Sequence, residues 1–283
     1  VGGVLLLMED YDELFEMSVD ERKHYIQLNP TIVENLLDGV GKEDAAIRDQ
    51  LNYRLFIQLL TENALSEKMI NQFVDHLFAD KGLLANIGES GTGAVFQRSY
   101  SALYLAAIVN ADRQLSYLNK DQLELITQNA IDLLMKEQDL RSFVNLQSGW
   151  AHSIANVCEL LCAIIEHPEY SIRFTFQILQ AIRANLWKDY VFIDDEDERF
   201  CNVINALIVK GIEEDLFIEW FEQLFDQLEA AAYSQGYSAL WYKARTNQLN
   251  LSKTLYFYLK FANRHEKLRS TVSIFIQRWI KLG

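Results

Sequence analysis

Proline occurs only twice in the 283 residues of this chain, and that scarcity constrains the fold more than any other feature of the sequence. Proline and glycine interrupt helices, and glycine is also infrequent, with 12 residues. Apolar side chains recur every three to four residues over long stretches such as residues 45–60, which places them on one face of a helix. The sequence therefore predicts an all-α fold of long helices joined by short polar connections, with no β-sheet.

The number and spacing of these helices indicate how they assemble. Roughly a dozen helices, paired at spacings near those of HEAT and armadillo units, favour stacked antiparallel helix pairs in a right-handed superhelix. With 50% hydrophobic residues, the chain can bury the core of one elongated domain or of two ordinary ones. We predict a single elongated HEAT/armadillo-like domain over residues 1–283. Residues 1–7 are apolar but short and lack a basic leader, so we interpret them as an added or processed remnant.

The charge balance excludes two classes of partner. The formal net charge is −14, whereas binding to nucleic acid or to an acidic membrane surface requires clustered lysine and arginine. We therefore expect no nucleic acid and no membrane as partners. The last segment is a local basic exception, which we interpret as a solvated helix face, with a docking surface as the alternative; its basic residues are Arg264, Lys267, Arg269, Arg278 and Lys281.

The three cysteines match neither a disulfide framework nor a zinc site. Cys158, Cys162 and Cys201 are an odd number and contain no C-x-x-C pair. They are typical of small core residues in a reducing compartment, so we expect free thiols, no metal, no cofactor and a cytoplasmic location.

Several local patterns predict helix ends rather than ligand sites. Ser18 with Glu21 forms a capping-box pattern, and Asn119 is a second N-cap candidate. The glycine-rich loop 88–93 precedes a helix but lacks the following Lys-Ser or Lys-Thr, and Glu89 would repel phosphate, so we predict a mobile turn. The acidic run 194–198 lacks the glycine and regular oxygen spacing of a calcium loop, and we interpret it as favourable charge at a helix N-terminus.

One largely apolar predicted helix, within residues 149–161, carries a line of polar residues. His152, Asn156 and Glu159 follow at i, i+4 and i+7, which stacks them along one helix face. Apolar side chains fill the rest of the circumference, so this helix is expected to be mostly buried. A buried polar line needs partners, because an unpaired carboxylate inside protein is strongly unfavourable.

This stretch, beginning Gly-Trp-Ala-His at residue 149, resembles the signature of a mainly bacterial, all-helical family, domain of unknown function 2785. Residues 98–103, 139–144 and 196–199 resemble the same family. One departure is Asn156, where the family often has a second histidine, and this weakens a metal site built on a His-x-x-x-His pair. The resemblance implies the fold and adds a set of polar candidates: Trp150, His152, Asn156, Glu159, Arg98, Ser101, Asp139, Arg141, Glu196 and Arg199.

Two classes of function fit these residues. The first is a non-enzymatic helical-repeat protein that binds a protein or peptide. The second is a small-ligand binder or an enzyme in which His152 acts as base or ligand, Glu159 as its carboxylate partner and Asn156 as an orienting amide. A third interpretation makes the three residues a structural polar network between helices. Whether these three residues form a ligand site or a structural network, we expect them to converge with Arg98, Arg141 or Arg199. The reason is that arginine pairs well with a carboxylate such as Glu159.

Overall fold

A computed structural model describes residues 8–78 and 80–280 of the chain. This part is 72% helical, with 13 α-helices and one two-stranded sheet. The predicted all-α class is confirmed, whereas the HEAT/armadillo-like stacking stays a prediction. The interpretation of residues 1–7 as a remnant concerns residues outside the described part.

The contacts of the backbone divide the chain into two compact units, Val1–Ser171 and Ile172–Gly283. In the first unit the described elements are α1 (Met8–Glu16), α2 (Val19–Leu28), α3 (Ile32–Gly39), a π-helical segment (Ala46–Tyr53), α4 (Arg54–Thr61), α5 (Glu67–Leu77), α6 (Ala94–Leu115), α7 (Lys120–Lys136), β1 (Phe143–Asn145), β2 (Gly149–Trp150) and α8 (Ser153–Glu166).

The second unit is helical throughout its described part. A 3₁₀ turn, Ile172–Phe174, opens it. Five α-helices follow: α9 (Thr175–Leu186), α10 (Glu196–Val209), α11 (Glu214–Gln235), α12 (Ala239–Ala262) and α13 (Glu266–Ile280). Its aromatic residues pack between helices: Phe225 stacks on Phe275 at 4.0 Å between ring centres. The indole N–H groups of Trp220 and Trp241 donate to the carbonyls of Leu179 and Leu228.

Helix ends follow the local signals in the sequence. Ser18 and Glu21 form the reciprocal capping box in front of α2, and Asn119 forms the same arrangement with Gln122 in front of α7. Gly236 follows α11 with a φ of +74°. Such caps satisfy backbone groups that have no partner within the helix, so a single side chain decides where the helix begins.

The core of the first unit is a group of stacked rings between α4, α5 and α6. Phe56 stacks on Tyr104 at 4.3 Å between ring centres, and Phe73 lies 5.0 Å from Phe56. The Tyr104 hydroxyl accepts a hydrogen bond from Asn52 at 2.8 Å, and Asn52 also accepts one from the Tyr11 hydroxyl at 2.9 Å. The apolar rings are thus fixed in register by a buried amide.

Two features of the first unit differ from the prediction. Ala46–Tyr53 form a π-helical segment before α4, and Arg48, which lies off the apolar stripe of residues 45–60, is fully buried. The connection before α8 is not a simple link, because Phe143–Asn145 pairs antiparallel with Gly149–Trp150. The expected absence of a sheet is therefore wrong at this one hairpin, whose formation depends on long-range contacts described below.

Candidate functional site

The hairpin of β1 and β2 is closed by a tight turn. The side-chain oxygen of Asn145 accepts the N–H groups of Gln147 at 2.9 Å and Ser148 at 2.7 Å, which mimics a backbone turn. Gly149 has a φ of +67°, and a Cβ placed there would lie 3.2 Å from the Cβ of Ala45. A glycine is needed here because both its backbone conformation and the close approach of Ala45 disfavour a side chain.

Large apolar side chains project from this hairpin into solvent. Phe143 is 46% exposed, Leu146 is 96% exposed and Trp150 is 44% exposed. The rings of Phe143 and Trp150 meet edge to face at 5.1 Å as a cross-strand pair. We call Phe143, Leu146 and Trp150 the hairpin patch.

His152 lies next to this patch rather than on the helix. Its φ of +51° places it in the left-handed region, and α8 begins after it, at Ser153. Its ring stacks on Trp150, with 4.5 Å between ring centres and 3° between planes. The expected line of three polar residues on one helix face is therefore wrong at His152, because the backbone turns before the helix starts. His152 supports the indole from one side.

A buried arginine fixes one end of the hairpin. Arg48 donates from Nη2 to the carbonyl of Ser148 at 2.8 Å and from Nη1 to the carbonyl of Lys42 at 2.9 Å. Its Nε donates to Asp49 at 2.8 Å. The planar guanidinium thus joins the π-helical segment to the hairpin turn through several donors at once, a geometry that lysine does not provide.

Two rings of α6 enclose the same guanidinium. The carbon at its centre lies 4.3 Å from the ring centre of Phe96 and 4.5 Å from that of Tyr100. Burial, and to a smaller extent a hydrogen bond with Asp49, raises the pKa of Tyr100 to about 12. This aromatic environment compensates in part for the removal of Arg48 from water.

A second buried arginine fixes the other end of the segment. Arg98 forms a bidentate ion pair with Glu137 through two hydrogen bonds of 2.7 Å, and both side chains are completely buried. Glu137 also accepts the Ser153 hydroxyl at 2.8 Å and the Asp139 N–H at 2.9 Å. Arg98 donates further to the carbonyl of Ala85 at 2.9 Å. Arg98 therefore pairs with Glu137 and not with Glu159.

Asp139 and Arg141 attach the glycine-rich loop to the segment. Arg141 donates to Asp139 from Nη2 at 2.6 Å and to the carbonyl of Thr92 at 3.0 Å, while Asp139 accepts the N–H of Gly91 at 2.8 Å. Burial raises the pKa of Asp139, but the bonds from Arg141 and Gly91 outweigh burial and hold that pKa below its usual value. The loop amide that resembled a phosphate donor is thus occupied by a carboxylate of the same chain.

The two remaining residues of the predicted polar line behave differently from each other. Asn156 donates to the Ser99 hydroxyl at 2.8 Å, and Ser99 donates in turn to the carbonyl of Ala151. Glu159 is exposed. The pKa of Tyr53 is raised mainly by burial of that ring, and the charge of Glu159 is the second cause. Asn156 therefore belongs to a structural network between α6 and α8, whereas Glu159 contributes negative charge to the surface.

Three further candidates serve local structure or belong to the second unit. Ser101 is buried on α6, where its hydroxyl accepts a bond from Gln97 at 3.5 Å. Glu196 and Arg199 belong to α10 of the second unit, and Glu196 accepts the N–H of Asp194 at 2.9 Å. Glu196 thus acts at a helix N-terminus, as the acidic run predicted.

Sequence reasoning missed Arg48, Glu137 and Ser99. Glu137 had a signal: it follows directly after the last residue of α7, where the helix dipole disfavours a carboxylate unless a cation pairs with it. Arg48 had a weaker signal, since it lies among apolar residues and precedes Asp49. Ser99 had none, because its partners, Asn156 and the Ala151 carbonyl, are distant in sequence.

Within residues 8–78 and 80–280, no three His, Cys, Asp or Glu side chains lie close enough to hold a metal ion together. None of Cys158, Cys162 and Cys201 forms a disulfide. Among the described helices, none has the length and apolar character needed to cross a membrane.

Together these contacts define an all-helical protein that carries an exposed aromatic hairpin fixed by two buried arginines. The chain belongs to the family described as "Protein of unknown function (DUF2785)", whose family model matches residues 83–257. That range includes Arg98, Glu137, the hairpin and α8, so the resemblance in the sequence is confirmed. No curated protein and no solved structure matches the chain.

Proposed function

We propose that this protein binds a protein or peptide partner through the hairpin patch. The observation that carries the proposal is the exposure of Phe143, Leu146 and Trp150 on one short hairpin. Large apolar side chains grouped on a surface favour association, and tryptophan and phenylalanine are enriched at the centres of interfaces. A helical-repeat arrangement and a cytoplasmic location belong to the same proposal.

The buried arginines support binding because they preorganise the segment. A buried ion pair adds little net stability compared with apolar packing, so the pair of Arg98 and Glu137 contributes mainly a defined geometry. This pair joins the two ends of residues 137–153, because Glu137 also accepts the Ser153 hydroxyl, and Arg48 holds the turn at Ser148. A rigid hairpin loses less conformational entropy on binding than a mobile loop, and it therefore binds more tightly for the same contacts.

Carboxylates beside the hairpin define the chemistry of the partner. Ala45 donates its N–H to the carbonyl of Gln147 at 3.1 Å, which brings the segment containing Glu43 and Asp44 against the hairpin. The whole chain carries a net charge of −14. The partner that complements this surface is a segment with aromatic or aliphatic residues next to lysine or arginine.

Selection from a random peptide library displayed on phage, followed by fluorescence polarisation with the selected peptides, tests the proposal. Leu146→Ser and Phe143→Ser should weaken binding about tenfold or more together, because both remove exposed contact area. Phe176→Ser and Ile193→Ser are matched controls, since these residues are also exposed but lie in the second unit. Peptides that bind the Leu146→Ser/Phe143→Ser variant as tightly as the unaltered chain would refute the proposal.

A further inference from the structure

The second unit contains a groove between α10 and α12. It has a volume of ≈ 390 Å³, which is the size range of small-molecule sites. Glu198 and Cys201 line it from α10, and Lys253, Phe257, Tyr258 and Phe261 line it from α12. The groove thus has an acid on the α10 wall, and a base with aromatic rings on the α12 wall.

The two charges on the walls are available to a ligand. Within the described part of the chain, neither Glu198 nor Lys253 forms a salt bridge with another side chain. The neighbouring acid is already engaged, because the Thr254 hydroxyl donates to Asp197. A molecule that carries both a cation and an anion would satisfy both walls at once, whereas a singly charged molecule would meet one repulsive group.

The aromatic part of the groove is open and preformed. Phe257 and Phe261 stack with 6.0 Å between ring centres and are 49% and 81% exposed. Exposed rings one helical turn apart offer a stacking surface for another ring. At the base lies Cys201, which lines the groove although only 2% of it is exposed. Burial, and to a smaller extent the charges of Asp197 and Glu198, raises the pKa of this thiol to about 12.

We propose that this groove binds a zwitterionic aromatic ligand, of the class of a free aromatic α-amino acid. The ammonium group faces Glu198, the carboxylate faces Lys253, and the ring packs on Phe257 and Phe261.

The test measures binding to the full chain by isothermal titration calorimetry. L-phenylalanine and L-tryptophan are the probes; phenethylamine lacks the carboxylate and 3-phenylpropionate lacks the ammonium. The amino acids should bind about fivefold more tightly than either analogue, because only they pair with both Glu198 and Lys253.

Variants separate the charge pattern from simple packing. Lys253→Gln and Glu198→Gln should each weaken binding of L-phenylalanine about fivefold, because each removes one partly exposed ion pair with the ligand. Lys267→Gln on α13 and Leu146→Ser on the hairpin should leave this binding unchanged. Equal affinity for phenethylamine or 3-phenylpropionate, no binding of either amino acid, or unchanged binding in both charge variants would overturn the proposal.

Discussion

At the scale of single residues, the most informative feature is a pair of charges hidden from water. Arg98 and Glu137 are both completely buried, and each has further polar partners besides the other. Such a pair tolerates burial only while every donor and acceptor is satisfied. The loss of one partner is therefore much more damaging than the loss of both.

Arg98→Met should lower the free energy of unfolding by about 3–5 kcal/mol, because Glu137 then stays buried without its cation. Urea denaturation followed by circular dichroism measures this loss. Arg98→Met combined with Glu137→Leu should recover a large part of it, since no charge remains buried. As a control, Arg113→Met removes a solvent-exposed pair with Glu166 and should cost less than ~1 kcal/mol. If the double variant is as unstable as Arg98→Met, the unpaired charge of Glu137 is not the cause of the destabilisation.

Because of Tyr100, the stability of the first unit should decrease at alkaline pH. Its folded pKa of about 12 is above the value of about 10 expected in the unfolded chain, so the folded state favours the neutral hydroxyl. This contribution is complete below pH ~10 and is lost as the pH rises toward 12. Between pH 9 and pH 11, the free energy of unfolding, measured by urea denaturation, should therefore fall by about 1 kcal/mol more in the unaltered chain than in Tyr100→Phe. Equal losses in the two proteins would contradict the assignment.

At the scale of elements, regular helices and their caps were predictable, but the segments around the hairpin were not. Ser18 and Asn119 act on N–H groups within three residues, so a short pattern in the sequence suffices. The hairpin instead depends on Arg48, whose bond to Ser148 spans 100 residues. His152 shows the same limit, because nothing in its helical spacing reveals a left-handed backbone. Long-range partners decide these conformations, and local propensity does not.

A buried carboxylate organises the turn between α6 and α7 and its contact with the end of α8. Asp112 accepts the N–H groups of Tyr117 at 2.6 Å and Leu118 at 2.9 Å, and it lies 3.2 Å from Nε2 of His167. The N–H of Glu169 approaches Nδ1 of His167 at 3.2 Å, so that nitrogen acts as acceptor and Nε2–H donates to Asp112.

Asp112→Ala should destabilise the chain by about 3 kcal/mol, because it removes the acceptor of two partly buried turn amides and of the buried His167 ring. Asp112→Asn should cost less, since one amide oxygen can still accept the two turn N–H groups. Hydrogen exchange at Tyr117 and Leu118 should accelerate in the alanine variant before global unfolding does. Asp132→Asn, which breaks an exposed pair with Lys136, is the matched control. Unchanged exchange at both amides would show that Asp112 does not hold this turn.

At the scale of the whole molecule, composition predicted more than motifs did. Proline scarcity and apolar spacing were enough for the all-α class. The candidate residues Arg98, Asp139, Arg141 and Trp150 do lie around one segment, but as structural clamps and an exposed ring rather than as a shared polar pocket with Glu159. The sequence revealed which polar residues are unusual, while the pairing of each one depended on the three-dimensional path of the chain.

The excess of acids affects the molecule as a whole. There are 40 aspartates and glutamates against 26 lysines and arginines. Repulsion among exposed acids opposes the compact state, and salt screens it. We expect the melting temperature to rise by about 3 °C when KCl increases from roughly 0.01 M to 0.3 M, because weakened repulsion outweighs weakened surface pairs such as Arg113 with Glu166.

A variant with fewer acids provides the control for this salt response. Glu219 and Glu222 are exposed on α11, and replacing each by lysine removes one acid and adds one base. Because repulsion is then smaller from the start, differential scanning calorimetry should show a smaller rise in melting temperature with salt for Glu219→Lys/Glu222→Lys than for the unaltered chain. A melting temperature that falls with added salt in the unaltered chain would mean that attractive surface pairs dominate its electrostatics.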